Sequence, residues 1–217
     1  MRDVDLQVYF IMGSFNAPHG NPLKVLEQAL KGGITCFQLR EKGPAALQGD
    51  EKLTFAKKCQ QLCKAFGVPF IVNDDVELAV LIDADGVHVG QDDLSATLVR
   101  NKIGDQKLLG VSVHSVVEAT IALAAGADYI GMGPVYPTVS KSDSKPVAGT
   151  SKISEVAAIF PELKIVGIGG ITPTNLDIVM KSGASGVSVI SAIAAAKNPE
   201  EAARLIVKAV QHAGVSI

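Results

Sequence analysis

Residues 114–133, HSVVEATIALAAGADYIGMG, contain in one stretch the unit from which the fold is read. Residues 114–125 carry small and apolar side chains at helical spacing and stop at Gly126. A glycine just past the last periodic residue is a common helix stop, because it takes the left-handed conformation without a Cβ clash. The chain then runs into DYIGMG (128–133), which is short and apolar on consecutive positions rather than alternate ones. A strand covered on both faces has that pattern. A helix, a glycine and a doubly buried strand make half of a βαβ crossover.

The same unit recurs in both directions. Helical patterns at 21–31, 51–66 and 174–182 end at Gly32-Gly33, Gly67 and Gly183. Strand candidates are LQVYFIM (6–12), TCFQLR (35–40), PFIVN (69–73), DGVHV (85–89), KLLGVS (107–112), DYIGMG (128–133), KIVGIG (164–169) and GVSVIS (186–191). Strands alternating with helices imply a parallel sheet with right-handed crossovers. Eight such units can close, so the expected fold is α/β, a single-domain (βα)8 TIM barrel over residues 1–217. An open doubly wound sheet is the alternative. It is weakened by the lack of a G-x-G-x-x-G turn after the first strand. The 217 residues are few for a barrel, where ~250 is typical and ~200 near the floor, so loops must be short. The exception is 133–149, a Pro- and Ser-containing stretch long enough to suggest function. Hydrophobic residues make up 47% of the chain, without Trp, so aliphatic side chains must fill the core.

A net charge of −2 lacks the basic surplus of a nucleic-acid binder. No basic amphipathic stretch suggests a membrane surface, and no run approaches the ~18 apolar residues of a spanning helix. The start, MRDVDLQVYFIMG, is a poor signal peptide, with two aspartates before a short apolar run. A cytoplasmic protein acting on small molecules is expected. Cys59 and Cys63 lie one helical turn apart and can be read as metal ligands or as small apolar residues on a buried face. The second reading is preferred, since no further Cys or His completes a zinc set.

In such barrels the site lies at the C-terminal ends of the strands. Polar residues collect there: Arg40, Glu41 and Lys42 after the second strand candidate, then Asn73, Asp74 and Asp75 after the third. Gln91, Asp92 and Asp93 follow the fourth, and Ser112 and His114 mark the fifth. Thr138, Ser140 and Lys141 follow the sixth, Gly169-Gly170 the seventh and Ile190-Ser191 the eighth. GIGGIT and VISAI after the last two strands fit the phosphate pocket of barrels, where loop N–H groups and a helix start hold an anion. Gly169 and Gly170 serve a tight turn on the blander reading. Asp74 and Asp93 leave neighbouring strands, which are spaced about 5 Å apart. Their carboxylates would face one Mg²⁺ ion, or else cap the third and fourth helices. Arg40, Lys42 and Lys141 would supply charge for a second phosphate group. His88 reads as a hydrogen-bonded core residue, and His19 and His212 as surface residues.

QLREKG, IVNDD, DGVHVGQDD, LGVSVHS, DYIGMGPVYPTVSK, IVGIGGIT and GVSVISAI occur in order over nearly the whole chain. Together they resemble the thiamine-phosphate synthase family. The resemblance implies condensation of an aminopyrimidine pyrophosphate, 4-amino-2-methyl-5-(diphosphooxymethyl)pyrimidine, with a thiazole phosphate, giving thiamine phosphate and pyrophosphate. It implies Mg²⁺ held by Asp74 and Asp93. It implies Gln38, Leu39, Arg40, Glu41, Lys42, Asn73, Ser112 and Lys141 around the pyrimidine pyrophosphate, with Arg40, Ser112 and Lys141 catalytic. Thr138, Val139, Ser140, Gly170, Ile190 and Ser191 would surround the thiazole phosphate. Val139 stands where many relatives place a polar residue. The loop 134–149 would close as a lid. Competing expectations are a related barrel that aromatises the thiazole phosphate, a phosphate-ligand sensor without turnover, and a sugar-phosphate isomerase or lyase.

Overall fold

The computed structural model describes residues 4–138 and 146–214. Among them, eight parallel strands close into a barrel in chain order: β1 (Val8–Met12), β2 (Cys36–Leu39), β3 (Phe70–Asn73), β4 (Gly86–Val89), β5 (Leu108–Val113), β6 (Tyr129–Met132), β7 (Lys164–Ile168) and β8 (Gly186–Val189). The open-sheet alternative is excluded, because β8 pairs with β1 through Val8↔Val187, Tyr9↔Ser188 and Phe10↔Val189. The helices between them are α1 (Pro22–Lys31), α2 (Gly49–Phe66), α3 (Val76–Leu81), α4 (Ala96–Ile103), α5 (Val116–Ala124), α6 (Ser151–Ile159) and α7 (Leu176–Lys181). After β8 come the short α8 (Ser191–Ala194) and the long α9 (Pro199–Gly214). No helix among the described residues is long and apolar enough to cross a membrane.

Most strands begin or end one or two residues inside the expected bounds, more often at the start than at the rim, and β5 runs to Val113, one residue past its expected end. Ser191, expected at the end of a strand, instead opens α8. Gly67 closes α2 in the left-handed conformation (φ 68°), as its position predicts. Asp83 does the same after α3 (φ 54°), where no glycine marks the stop. Successive strand residues point inward and outward, and both directions are buried. Phe10, Met12, Phe37 and Phe70 fill the layer between barrel and helices. Tyr9, Ile11, Cys36, Ile71, Leu108, Tyr129 and Val166 fill the barrel interior. Burying each large apolar side chain contributes roughly 2 kcal/mol, and burial on both faces explains why the strands read as unbroken apolar runs. Val4 and Leu6 join the inner core and stopper the N-terminal end, where Lys164 Nζ donates to the Val4 carbonyl at 2.8 Å. Cys36, Cys59 and Cys63 are buried free thiols.

Candidate active site

The interior changes character towards the C-terminal rim. Below lie Cys36, Ile71, Leu108 and Val166. One layer up, strand alternation turns Gln38, His88 and Ser188 inward, and all three are buried. Ser112 and Asn73 continue that layer, half-buried. Above it opens a cavity of about 350 Å³ whose wall comes from the ends of β4 to β8 and from Lys42. Ser112, Thr138, Gly170, Ile190, Ser191, Asp93 and Lys42 all line it. Seven residues named from the sequence thus meet in one concavity. Sequence reasoning passed over Gln91, Thr172 and Ser188 as lining residues, although Gln91 was noted at the rim. Ser188 left a signal, a lone hydroxyl inside the apolar run Val187–Val189. Its Oγ is buried without a hydrogen-bond partner, which is costly unless something in the cavity supplies one.

The β3 and β4 loops bring the two aspartates together. Asp74 takes a left-handed backbone (φ 61°) that Asp tolerates better than most residues. Its N–H donates to the His88 carbonyl at 2.9 Å, which turns the side chain onto the rim. Lys42 Nζ lies 2.6 Å from Asp74 Oδ2 and 3.5 Å from Asp93 Oδ1. Asp93 also accepts from the Gly90 N–H at 2.8 Å. Burial, with the nearby Asp93 charge, pushes the Asp74 carboxyl above its ordinary range, although Lys42 works against this. Burial opposes ionisation of Asp93 too. Hydrogen bonds from Asp74, the Gly90 N–H and Lys42 outweigh it and hold Asp93 low. The capping alternative fails for both. Asp75 caps α3, accepting from the Leu78 N–H at 2.9 Å, and Ser95 occupies the cap position of α4.

The β2 exit divides its residues. Gln38 Nε2 donates to the Tyr9 hydroxyl at 2.8 Å inside the barrel. The Leu39 side chain lies in the outer core, so only its backbone faces the rim. Arg40 is buried at the mouth. Glu41 bonds instead to the chain around it: its carboxylate accepts from the Ser14 N–H, from the Ser14 hydroxyl at 3.1 Å and from the Leu47 N–H at 2.8 Å. That pins the loops after β1 and β2 to each other.

On the far side, Gly169 (φ 103°) and Gly170 (φ 63°) let the β7 loop press against the β6 loop. A Cβ on Gly170 would sit 2.6 Å from the Pro137 carbonyl oxygen. Tight packing therefore accounts for both glycines, and both also line the cavity. Val139, Ser140 and Lys141 lie outside the described residues, as does the middle, 139–145, of the loop expected to act as a lid. His114 pairs with Glu118 at 3.1 Å, while Ser115 caps α5. His19 and His212 are exposed.

Residues 8–193 match the family model described as thiamine monophosphate synthase. The chain belongs to the thiamine monophosphate synthase family. Two relatives in that family are the thiamine-phosphate synthases of Geobacillus kaustophilus and Lysinibacillus sphaericus. The first is 56% identical over 208 residues, covering 96% of this chain and 93% of the relative. The second is 53% identical over 201 residues, covering 93% and 94%. Among solved structures, the thiamine phosphate pyrophosphorylase from Pyrococcus furiosus superposes with a TM-score of 0.83 at 30% identity, over 96% of this chain and 97% of that one. A structure described as native KDPGal superposes at 0.72 with 16% identity and shares the fold alone.

Proposed function

We propose that this chain condenses a pyrimidine methyl diphosphate with a thiazole phosphate to give thiamine phosphate and pyrophosphate, in the cytoplasm and as one barrel unit. The observation that carries the proposal is the meeting of Asp74, Asp93 and Lys42 beside a cavity that reaches the last two loops. The names of the relatives support the reaction. The paired aspartates favour it over the aromatising relative, and a sensor would need no such group.

Two carboxylates this close call for a cation between them, and Lys42 fills that role with its ammonium. Among the described residues, no cluster of three or more His, Cys, Asp or Glu forms a metal site. Mg²⁺ suits the pair, because it takes one or two carboxylates and completes its shell with water and substrate phosphate oxygens. Asp74 and Asp93 would hold the ion, which when bound neutralises charge on the departing diphosphate. Lys42, whose side chain is half-exposed, would be available to the diphosphate when the aspartates hold an ion. Arg40 adds a fixed charge at the mouth. Lys141 is assigned the same task from the sequence.

The chemistry asks for no nucleophilic side chain. The C–O bond to the diphosphate breaks with its electron pair on oxygen. The thiazole nitrogen donates its lone pair to the methylene carbon, forming the C–N bond. The protein supplies charge where it develops and holds the two rings side by side. Gly170, Ile190 and Ser191, at the last two loops, would hold the thiazole phosphate, with Thr138 also lining the cavity.

The test mixes the purified chain with both phosphorylated heterocycles and Mg²⁺ and measures thiamine phosphate and pyrophosphate. Equal amounts of each are expected, with EDTA stopping the reaction and Mg²⁺ restoring it. Absence of both products from the folded protein would overturn the reading.

A further inference from the structure

A file of hydrogen-bonded side chains crosses the barrel beneath the cavity. Gln38 Nε2 donates to the Tyr9 hydroxyl at 2.8 Å. The Tyr9 and Tyr129 hydroxyls lie 2.8 Å apart. Tyr129 Oη is 3.3 Å from His88 Nδ1, and His88 Nε2 is 2.9 Å from Ser112 Oγ. Four strands and then a fifth contribute one member each. Only Ser112, at the end of the file, lines the cavity.

The direction of the file follows from its first member. An amide nitrogen only donates, so the Tyr9 oxygen accepts, and its own proton has the Tyr129 oxygen at 2.8 Å as the stronger of two acceptors, the other being the Cys36 sulfur. The Tyr129 oxygen then accepts, and its own proton goes to His88 Nδ1. A neutral imidazole that accepts at Nδ1 carries its proton on Nε2. That proton goes to Ser112 Oγ, and the serine hydroxyl proton is left to point elsewhere. Burial holds both phenols well above their ordinary pKa, so they stay protonated donors.

Two glycines make the crossing possible. A Cβ on Gly110 would lie 2.2 Å from Tyr129 Cζ and 2.4 Å from His88 Nδ1. A Cβ on Gly131 would crowd His88 at 3.3 Å. Glycine inside a strand weakens it and often marks a close approach. Here the space goes to the Tyr129–His88–Ser112 contacts.

We propose that Tyr9 and Tyr129 are positioning residues that carry the donor direction of the Gln38 amide across the barrel, fix His88 as its Nε2–H tautomer and leave the Ser112 hydroxyl to donate into the cavity. The ligand side of this proposal rests on the function proposed above. Ionised diphosphate oxygens only accept hydrogen bonds, so a serine held as a donor suits them and a serine held as an acceptor does not.

NMR of the imidazole nitrogens, on the full chain with isotope-labelled histidine in mildly alkaline buffer, reads the tautomer directly, because an ordinary imidazole is neutral there. His88 is expected with Nε2 protonated and Nδ1 bare. Tyr9→Phe and, separately, Gln38→Met cut the file without touching His88. Both should give a mixture of tautomers and lower kcat roughly tenfold, leaving KM for the thiazole phosphate unchanged. A His88 protonated on Nδ1 in the unaltered protein would overturn the proposal, as would a single tautomer surviving in both variants. The spectrum of the unaltered protein decides even if neither variant folds. The expected tautomer in a protein that makes no thiamine phosphate would leave the file standing and remove the diphosphate reading.

Discussion

Asp93 is held from three sides, by the Gly90 N–H, by Lys42 and by Asp74. Removing its carboxylate leaves Lys42 with Asp74, so the local charge still balances and the barrel has no reason to open. Asp93→Ala should therefore keep the circular dichroism of the parent while kcat falls on the order of a hundredfold or more, the size expected when metal-assisted charge stabilisation worth several kcal/mol is lost. Turnover near the parental value would remove the role assigned to Asp93. The rim could be read because polar side chains coincide at the same end of successive strands, although each alone is ordinary there. Residue identity did not reveal that the Glu41 carboxylate bonds to the loop at Ser14 and Leu47, because that partnership joins residues 27 positions apart as well as near neighbours. It named Asp74 rather than Asp75 for the ion, but left Asp74 as a possible α3 cap as well. Adjacent aspartates read alike as caps until the left-handed turn at Asp74 sends one to the rim and the other to the α3 cap.

At the scale of elements, the alternation of strand and helix could be read because each unit repeats the same physics. Gly67 and Gly126 follow α2 and α5 in the left-handed conformation. The helical patterns read from the sequence leave α3, α4, α6 and α9 without bounds, and α3 is closed by Asp83 rather than glycine. A tie between elements that periodicity cannot disclose lies at the opposite end of the barrel. Arg100, in α4, donates to Asp128 Oδ2 at 2.8 Å and to the carbonyls of Gly104, Lys107 and Gly126, each at 2.8 Å. Asp128 in turn accepts from the Leu109 N–H at 2.9 Å, joining β5 to the start of β6. Both side chains are largely shielded from water. Asp128→Ala would strand a buried guanidinium and an amide, and should lower unfolding free energy by about 3 kcal/mol. Denaturant titration checks this. The activity of the fraction that remains folded should be unchanged, because the tie is remote from the cavity.

At the scale of the whole molecule, five weak acids among the described residues are buried in neutral form. Burial raises the thiols of Cys36, Cys59 and Cys63 and the phenols of Tyr9 and Tyr129 above their ordinary pKa values. The unfolded chain therefore loses these protons first as pH rises. Their contribution to stability is intact below the ordinary thiol value of about 8.5 and declines above it, more steeply past about 10 when the phenols join. Each group ionised only in the unfolded chain should remove about 1.4 kcal/mol per pH unit. Guanidinium midpoints measured from neutral pH upward should fall accordingly, and a flat profile would mean that these groups are not held neutral.

The stopper of Val4 and Leu6 makes the barrel a cup rather than a pipe. Every molecule that arrives or departs has to cross the same lip, so chemistry and traffic are confined to one end. The closed end is left as a place where sequence can change to adjust how long the protein endures without altering what it makes.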